Sequence, residues 1–285
     1  MWTAITAALI LGFGAHQKAA EPFGPPIGER PEITQEGKLS VANERLTYGH
    51  LGPTRPTTVY LPGDVIHLDF EVRNLKFDVD GRAIYATTLE VAHADGKIMF
   101  RKELRDTSAV NNFGGDSLPC AAHLRIPLET AAGDYTLRVM LRDSGSGQKV
   151  QVERKVKVAP AGFGLVQVGT SADREGNIPW SPIGRVGDAI YFNFSVVGFG
   201  RDAKTKQPDV QVTLRILDEK GKQVNTTKLT GAAKGNVPES FRMVPMQFGL
   251  TLNRPGRFTL ELTAVDHVSG KQASLSFPLR IVGSP

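Results

Sequence analysis

The feature that most constrains this chain is that it repeats itself. The stretch Gly63-Asp64-Val65-Ile66-His67-Leu68-Asp69-Phe70-Glu71-Val72 returns as Gly187-Asp188-Ala189-Ile190-Tyr191-Phe192-Asn193-Phe194-Ser195-Val196. Thr88-Leu89-Glu90-Val91 with Gly96-Lys97 returns as Thr213-Leu214-Arg215-Ile216 with Gly221-Lys222. Gly133-Asp134-Tyr135-Thr136-Leu137-Arg138-Val139 returns as Gly256-Arg257-Phe258-Thr259-Leu260-Glu261-Leu262, and Asp143, Ser146 and Gly147 return as Asp266, Ser269 and Gly270. The order is kept and the offset stays between 123 and 125 residues. A fixed period of this length means a duplicated structural unit.

Each copy reads as strands. Ile66, Leu68, Phe70 and Val72 are apolar at every second position, with His67, Asp69 and Glu71 between them. Ile190, Phe192, Phe194 and Val196 keep the same phase, which marks a strand with one buried face. Tyr135, Leu137, Val139 and Leu141 repeat the pattern, as do Phe258, Leu260, Leu262 and Ala264. Gly-bearing stretches at 94–97, 144–147, 219–222 and 268–271 have hairpin-loop chemistry. No window carries a sustained 3.6-residue apolar stripe. About seven strands per copy predict an all-β chain of two tandem, homologous immunoglobulin-like β-sandwich domains. The glycine and proline counts, 30 and 18, suit many turns.

The segment Gly133-Asp134-Tyr135-Thr136-Leu137 resembles the corner before the penultimate strand of immunoglobulin and fibronectin type III-like domains. There a tyrosine ties strand to loop. The second copy has Phe258 at that place, and Leu137 and Leu260 stand where the later inter-sheet cysteine would be. The resemblance covers residues 39–284. It is to the β-sandwich modules of exported bacterial proteins, and it implies a fold without a chemistry.

The N-terminal run Ala4–Ala15 is uncharged and mostly apolar. It is too short to span a bilayer, which needs about 20 residues. Its length is that of a signal-peptide core, with small residues following, although Met1, Trp2 and Thr3 carry no Lys or Arg. The expected organisation is a signal peptide at 1–20, a Pro-rich spacer at 21–38, a first domain at 39–158, a linker at 159–164 and a second domain at 165–285. The mature chain is expected to have no membrane span.

Charge points to no special partner. The formal net charge is +5. The excess sits in residues 159–285, with 15 Lys/Arg against 10 Asp/Glu, but it is spread among acids. Nucleic-acid binding would want a continuous basic face with aromatic or helical readers, so no nucleic-acid partner is expected. The single cysteine, Cys120, allows no intrachain disulfide and reads as a small buried hydrophobe. No nucleophile elbow, phosphate loop, dinucleotide fingerprint or zinc-protease motif is present. No catalytic residue and no cofactor are expected, and no two histidines stand at a metal-ligand spacing.

Asp78 and Asp80 precede Gly81 as in the opening of a calcium loop, but Ile84, Ala86 and Leu89 fill the later ligand places. A polar turn is the competing reading. The parts that differ between copies hold the candidate ligand residues. One is Phe113, inside Asp106–Pro119, read as a loop. The other is Trp180, between Pro179 and Pro182. An aromatic on a stiff polar loop can stack on a sugar or anchor a partner; it can equally pack on its own domain. The expected role is a non-catalytic exported interaction or scaffold protein with a protein or glycan partner at the cell surface or in the periplasm. The alternatives are a carbohydrate-binding accessory protein using exposed loop aromatics and an enzyme with an interdomain site.

Overall fold

The computed structural model describes residues 7–11 and 37–283. Most of the Pro-rich spacer and most of the expected signal peptide lie outside the described residues. Within them the chain is all-β.

The strands fall into two series. The first is β1 (Ala7–Leu11), β2 (Ser40–Thr47), β3 (Val59–Tyr60), β4 (Val65–Arg73), β5 (Arg82–His93), β6 (Ile98–Val110), β7 (Ser117–Arg125), β8 (Gly133–Asp143) and β9 (Lys149–Val158). The second is β10 (Gly164–Ser171), β11 (Ile183–Arg185), β12 (Ala189–Val197), β13 (Asp209–Leu217), β14 (Leu229–Lys234), β15 (Met243–Thr251), β16 (Gly256–Asp266) and β17 (Gln272–Val282).

The two series build the same pair of sheets. In the first half β7-β4-β2 faces β3-β9-β8-β5-β6; in the second, β10-β12-β15 faces β11-β17-β16-β13-β14. Setting β1 aside, β2 through β9 correspond one for one to β10 through β17. The sequence led to about seven strands per copy, and each half has eight. The additional ones, β3 and β11, are two and three residues long and pair parallel to β9 and β17. Elements that short leave no period-two trace.

Each pair of sheets encloses its own core. Ile66, Leu68, Phe70 and Val72 meet Leu89, Val91, Leu137, Val139 and Leu141 in the first. Ile190, Phe192, Phe194 and Val196 meet Val212, Leu214, Leu260 and Leu262 in the second. Phe70 and Phe194 are both buried, while His67 and Tyr191 on the opposite phase are half-buried. Asp69 departs from the polar-face expectation. It is buried because His50 and Leu51 share the cleft over it.

The repeated Asp-Ser-Gly turns have a physical reason. Asp143 and Asp266 are fully buried. Asp143 Oδ2 accepts from the Ser146 hydroxyl and the Lys76 amide; Asp266 Oδ2 accepts from the Ser269 hydroxyl and the Gly200 amide. Each carboxylate thus ties a hairpin turn to the crossing between the sheets. A buried charge is tolerated only with such partners, so the residues recur.

The stretch Asp106–Pro119 is shorter as a loop than expected. β6 runs on to Val110 across a bulge opposite Tyr85 and Thr87, and β7 starts at Ser117. Only residues 111–116 are loop. Ala109 is buried there, so core burial extends the hairpin where small polar residues suggested none.

Candidate functional site

The sequence-predicted residues do not converge. Phe113 is fully exposed at the tip between β6 and β7. Trp180 is half-buried against the second core, and its indole nitrogen is buried with no hydrogen-bond partner. A Cβ on Gly184 would stand 3.7 Å from that nitrogen, so the indole edge lies over the β11 backbone. Asp78 and Asp80 share a tight turn in which Asp78 Oδ1 accepts the Asp80 and Arg82 amides at 3.0 and 2.8 Å. Among the described residues no group of three or more His, Cys, Asp or Glu side chains could hold a metal ion.

What the fold does assemble is a joint. The turn after β2 leaves the first half and carries Tyr48 into the second core, where its ring lies 6.0 Å from that of Phe277. Arg55 follows. Its guanidinium sits 4.7 Å from the Tyr48 ring centre and 4.2 Å from that of Tyr60. Arg55 Nη1 donates to Asp64 Oδ2 at 3.0 Å, with both side chains almost entirely out of solvent. Asp64 Oδ1 then accepts the Gln167 amide of β10 at 2.8 Å, and Gln167 Nε2 donates to Gly63 O at 2.9 Å. One carboxylate binds both halves. Burial, more than the nearby Arg55 charge, moves the Tyr60 hydroxyl well above its ordinary range.

Close backbone contacts finish the joint. A Cβ on Gly164 would fall 2.2 Å from Leu61 Cδ1. Gly198 holds φ at +63°, and a Cβ there would meet Gly162 O at 2.1 Å. Phe163 packs on the second core rather than hanging in the linker. At the rim Arg242 Nη1 reaches Glu129 Oε1 at 2.5 Å.

Beside the joint lies a histidine-bearing face. His67 and His123 are cross-strand neighbours with rings 5.8 Å apart, and His50 and Asp69 lie close by. Burial first, then His123, His50 and Arg55, pushes the His67 imidazole down to about 3. Burial also lowers His50 and His123 and raises the Asp69 carboxyl. Uncharged imidazoles at neutral pH are what this crowding enforces.

Sequence reasoning missed Tyr48, Arg55 and Gln167. The available signal was asymmetry, since Tyr48 falls where the repeat has Ala172. The other surprise is Ala7–Leu11, inside the expected signal run. It lies antiparallel along β7, with Leu11 opposite Cys120, and the pairing ends before Pro119.

No family model matches the chain, and no curated protein is similar to it. Among solved structures it is similar to dimeric latent PorU from Porphyromonas gingivalis. That likeness has 16% identity over 92% of this chain and 22% of that one, with a TM-score of 0.40. It is also similar to the C-terminal domain of the Streptococcus agalactiae AgI/II polypeptide BspA, with 10% identity over 85% and 99% of the two chains and a TM-score of 0.28. The C-terminal domain of the Streptococcus pyogenes antigen I/II-family protein AspA gives 10%, 86%, 100% and 0.28. The chain therefore spans about a fifth of the PorU chain. Likenesses this distant assign it no activity.

Proposed function

We propose that the chain is a non-catalytic interaction scaffold of an exported protein, made of two immunoglobulin-like sandwiches held in a fixed relation. The observation that carries this reading is the buried Arg55–Asp64 pair with its bond to Gln167. Ordinary interdomain contacts are modest and polar at the surface, and they let domains swing. Here a desolvated ion pair, a guanidinium held between two tyrosine rings and the insertion of one of them, Tyr48, into the neighbouring core oppose swinging. A scaffold needs a set geometry between its surfaces, and such a joint supplies it. The Ala4–Ala15 run supports export. The fully exposed ring of Phe113 supports a protein or glycan partner.

The test is the distribution of distances between spin labels on exposed turns of the two halves, at Asp95 and Glu219. The reading expects one narrow distance in the wild type and a broad distribution in Asp64→Ala. A wild-type distribution as broad as the variant's would overturn it.

A further inference from the structure

The outer face of the first half's five-stranded sheet carries a trough of about 680 Å³. Three cross-strand rows build it. The row Glu153–Arg138–Glu90–Arg101 is a ladder of alternating charge, with contacts of 2.8, 3.1 and 3.8 Å. The next row, Gln151–Met140–Thr88–Glu103, is nearly neutral, and Glu103 holds Arg101 and Arg105. The third row breaks the pattern. Lys149 is the direct partner of Arg142, Ala86 follows, and the β6 bulge brings Arg105 beside it. Among the described residues no carboxylate pairs with Arg142 or Lys149.

Like charges placed directly opposite on neighbouring strands cost stability. The repeat shows that the fold does not ask for them. In the second half the ladder's central pair is kept with its signs exchanged, as Arg215 and Glu261 at 2.8 Å. The cationic row is replaced there by Gln272, Val265, Gln211 and Ala232. Two halves of one design therefore differ in a positive row over a concave floor, in which Arg105 is held by Glu103 while Arg142 and Lys149 have no carboxylate among the described residues.

We propose that this trough binds an acidic polysaccharide, whose carboxylate or sulfate groups are taken by Arg142 and Lys149, with Arg105, which Glu103 already holds, at the far end of the row. The three cations stand on β9, β8 and β6, three strand steps of about 4.8 Å each, so they suit an extended chain laid across the strands. Thr88, Ser144 and Gln151 add hydroxyl and amide partners for sugar hydroxyls. An acidic peptide fits less well. The backbone groups of β5, β8 and β9 are spent on one another, so a peptide lying on this face would leave its own amides unpaired. A neutral sugar would want an aromatic platform, and none lines the trough. The inference goes beyond the scaffold reading and does not depend on a rigid joint.

Titration calorimetry tests it with polygalacturonate, heparin and poly-L-glutamate as probes at about 0.15 M salt. The wild type should bind at least one of the two polysaccharides; binding of polygalacturonate shows that carboxylates suffice, and binding of heparin alone shows that sulfate is needed. Arg142→Gln with Lys149→Gln should weaken that binding at least about tenfold, the loss of charge-assisted hydrogen bonds. Lys220→Gln with Lys222→Gln removes the same charge from an exposed turn of the second half and should change it less than about twofold. The first pair moves the row toward the second half's residues and removes a like-charge pair, so a thermal transition no lower than the wild type's confirms the fold. Three results would each overturn the proposal: no polysaccharide binding, equal loss in both variants, or tighter binding of poly-L-glutamate.

Discussion

Trp180 stands in the second half where Arg55 stands in the first. The Arg55 amide donates to Leu46 O at 2.8 Å, and the Trp180 amide donates to Thr170 O at 2.9 Å. Around Arg55 are the rings of Tyr48 and Tyr60; at the corresponding places around Trp180 are Ala172 and Gly184. One indole thus fills the room that a guanidinium between two tyrosines fills in the other half.

That equivalence makes Trp180 a packing residue. Trp180→Ala should destabilise the second half by about 3 kcal/mol. Phe113→Ala, at a fully exposed tip, should cost less than about 0.5 kcal/mol. Urea denaturation of both variants checks the pair. If Phe113→Ala proved the costlier, the placement of the two aromatics would be wrong.

The joint carries its own signature. Asp64→Ala strands a buried guanidinium and should cost about 3–5 kcal/mol. Asp188→Ala at the repeat position removes an acceptor of the Arg185 amide from a half-exposed site and should cost about 1 kcal/mol. Chemical denaturation should also show the Asp64→Ala transition splitting into two steps, because coupling of the halves is lost.

Acid should loosen the histidine face. The folded state holds His67 at about 3, below the 6.5 of an ordinary histidine. The unfolded chain therefore binds its proton first. The stability from a neutral His67 is full above 6.5 and is lost as pH falls from there toward 3. Asp69, whose carboxyl is raised by burial, works in the opposite direction. The contribution of His67 is thus read as a difference. His67→Tyr, the residue at position 191, should lose on the order of 1 kcal/mol less than the wild type between pH 7 and 4.5. Urea midpoints at the two pH values measure it.

Cys120 should be silent in the folded chain. Burial pushes its thiol up to about 12, and the side chain faces the first core. A thiolate is the reactive form, so an aromatic disulfide reagent should modify it only as fast as the first half opens. Labelling within seconds in native buffer would contradict this placement.

Export has a direct readout. N-terminal sequencing of protein from the native host should begin between about residues 15 and 21. A chain beginning at Met1 would instead leave Ala7–Leu11 in place along β7.

The repeat carried most of the fold, because buried strands must keep their phase. Phe70 and Phe194, or Leu137 and Leu260, had to be apolar in both copies, and that agreement was visible in one dimension. What was hidden lies in the differences. Tyr48, Arg55 and Gln167 have no shared pattern, since a joint between the halves exists once. Asp69 was placed by phase on an open face, and a turn folded over it could not be read from spacing. The trough was equally hidden: Arg142 and Lys149 are ordinary surface residues until pairing sets them side by side.

Proline occurs at the same step of β7 and of its repeat β15, Pro119 opposite Glu71, just past the end of β1, and Pro245 opposite Ser195. A proline offers no amide hydrogen to a newcomer. Chains crowded together at high concentration could otherwise stitch such borders into ever longer ribbons. Pro245 interrupts that stitching along β15, and in the first half β1 covers β7 as far as Cys120 and Pro119 blocks the next step, so these two strands should not seed fibres as an unprotected border would.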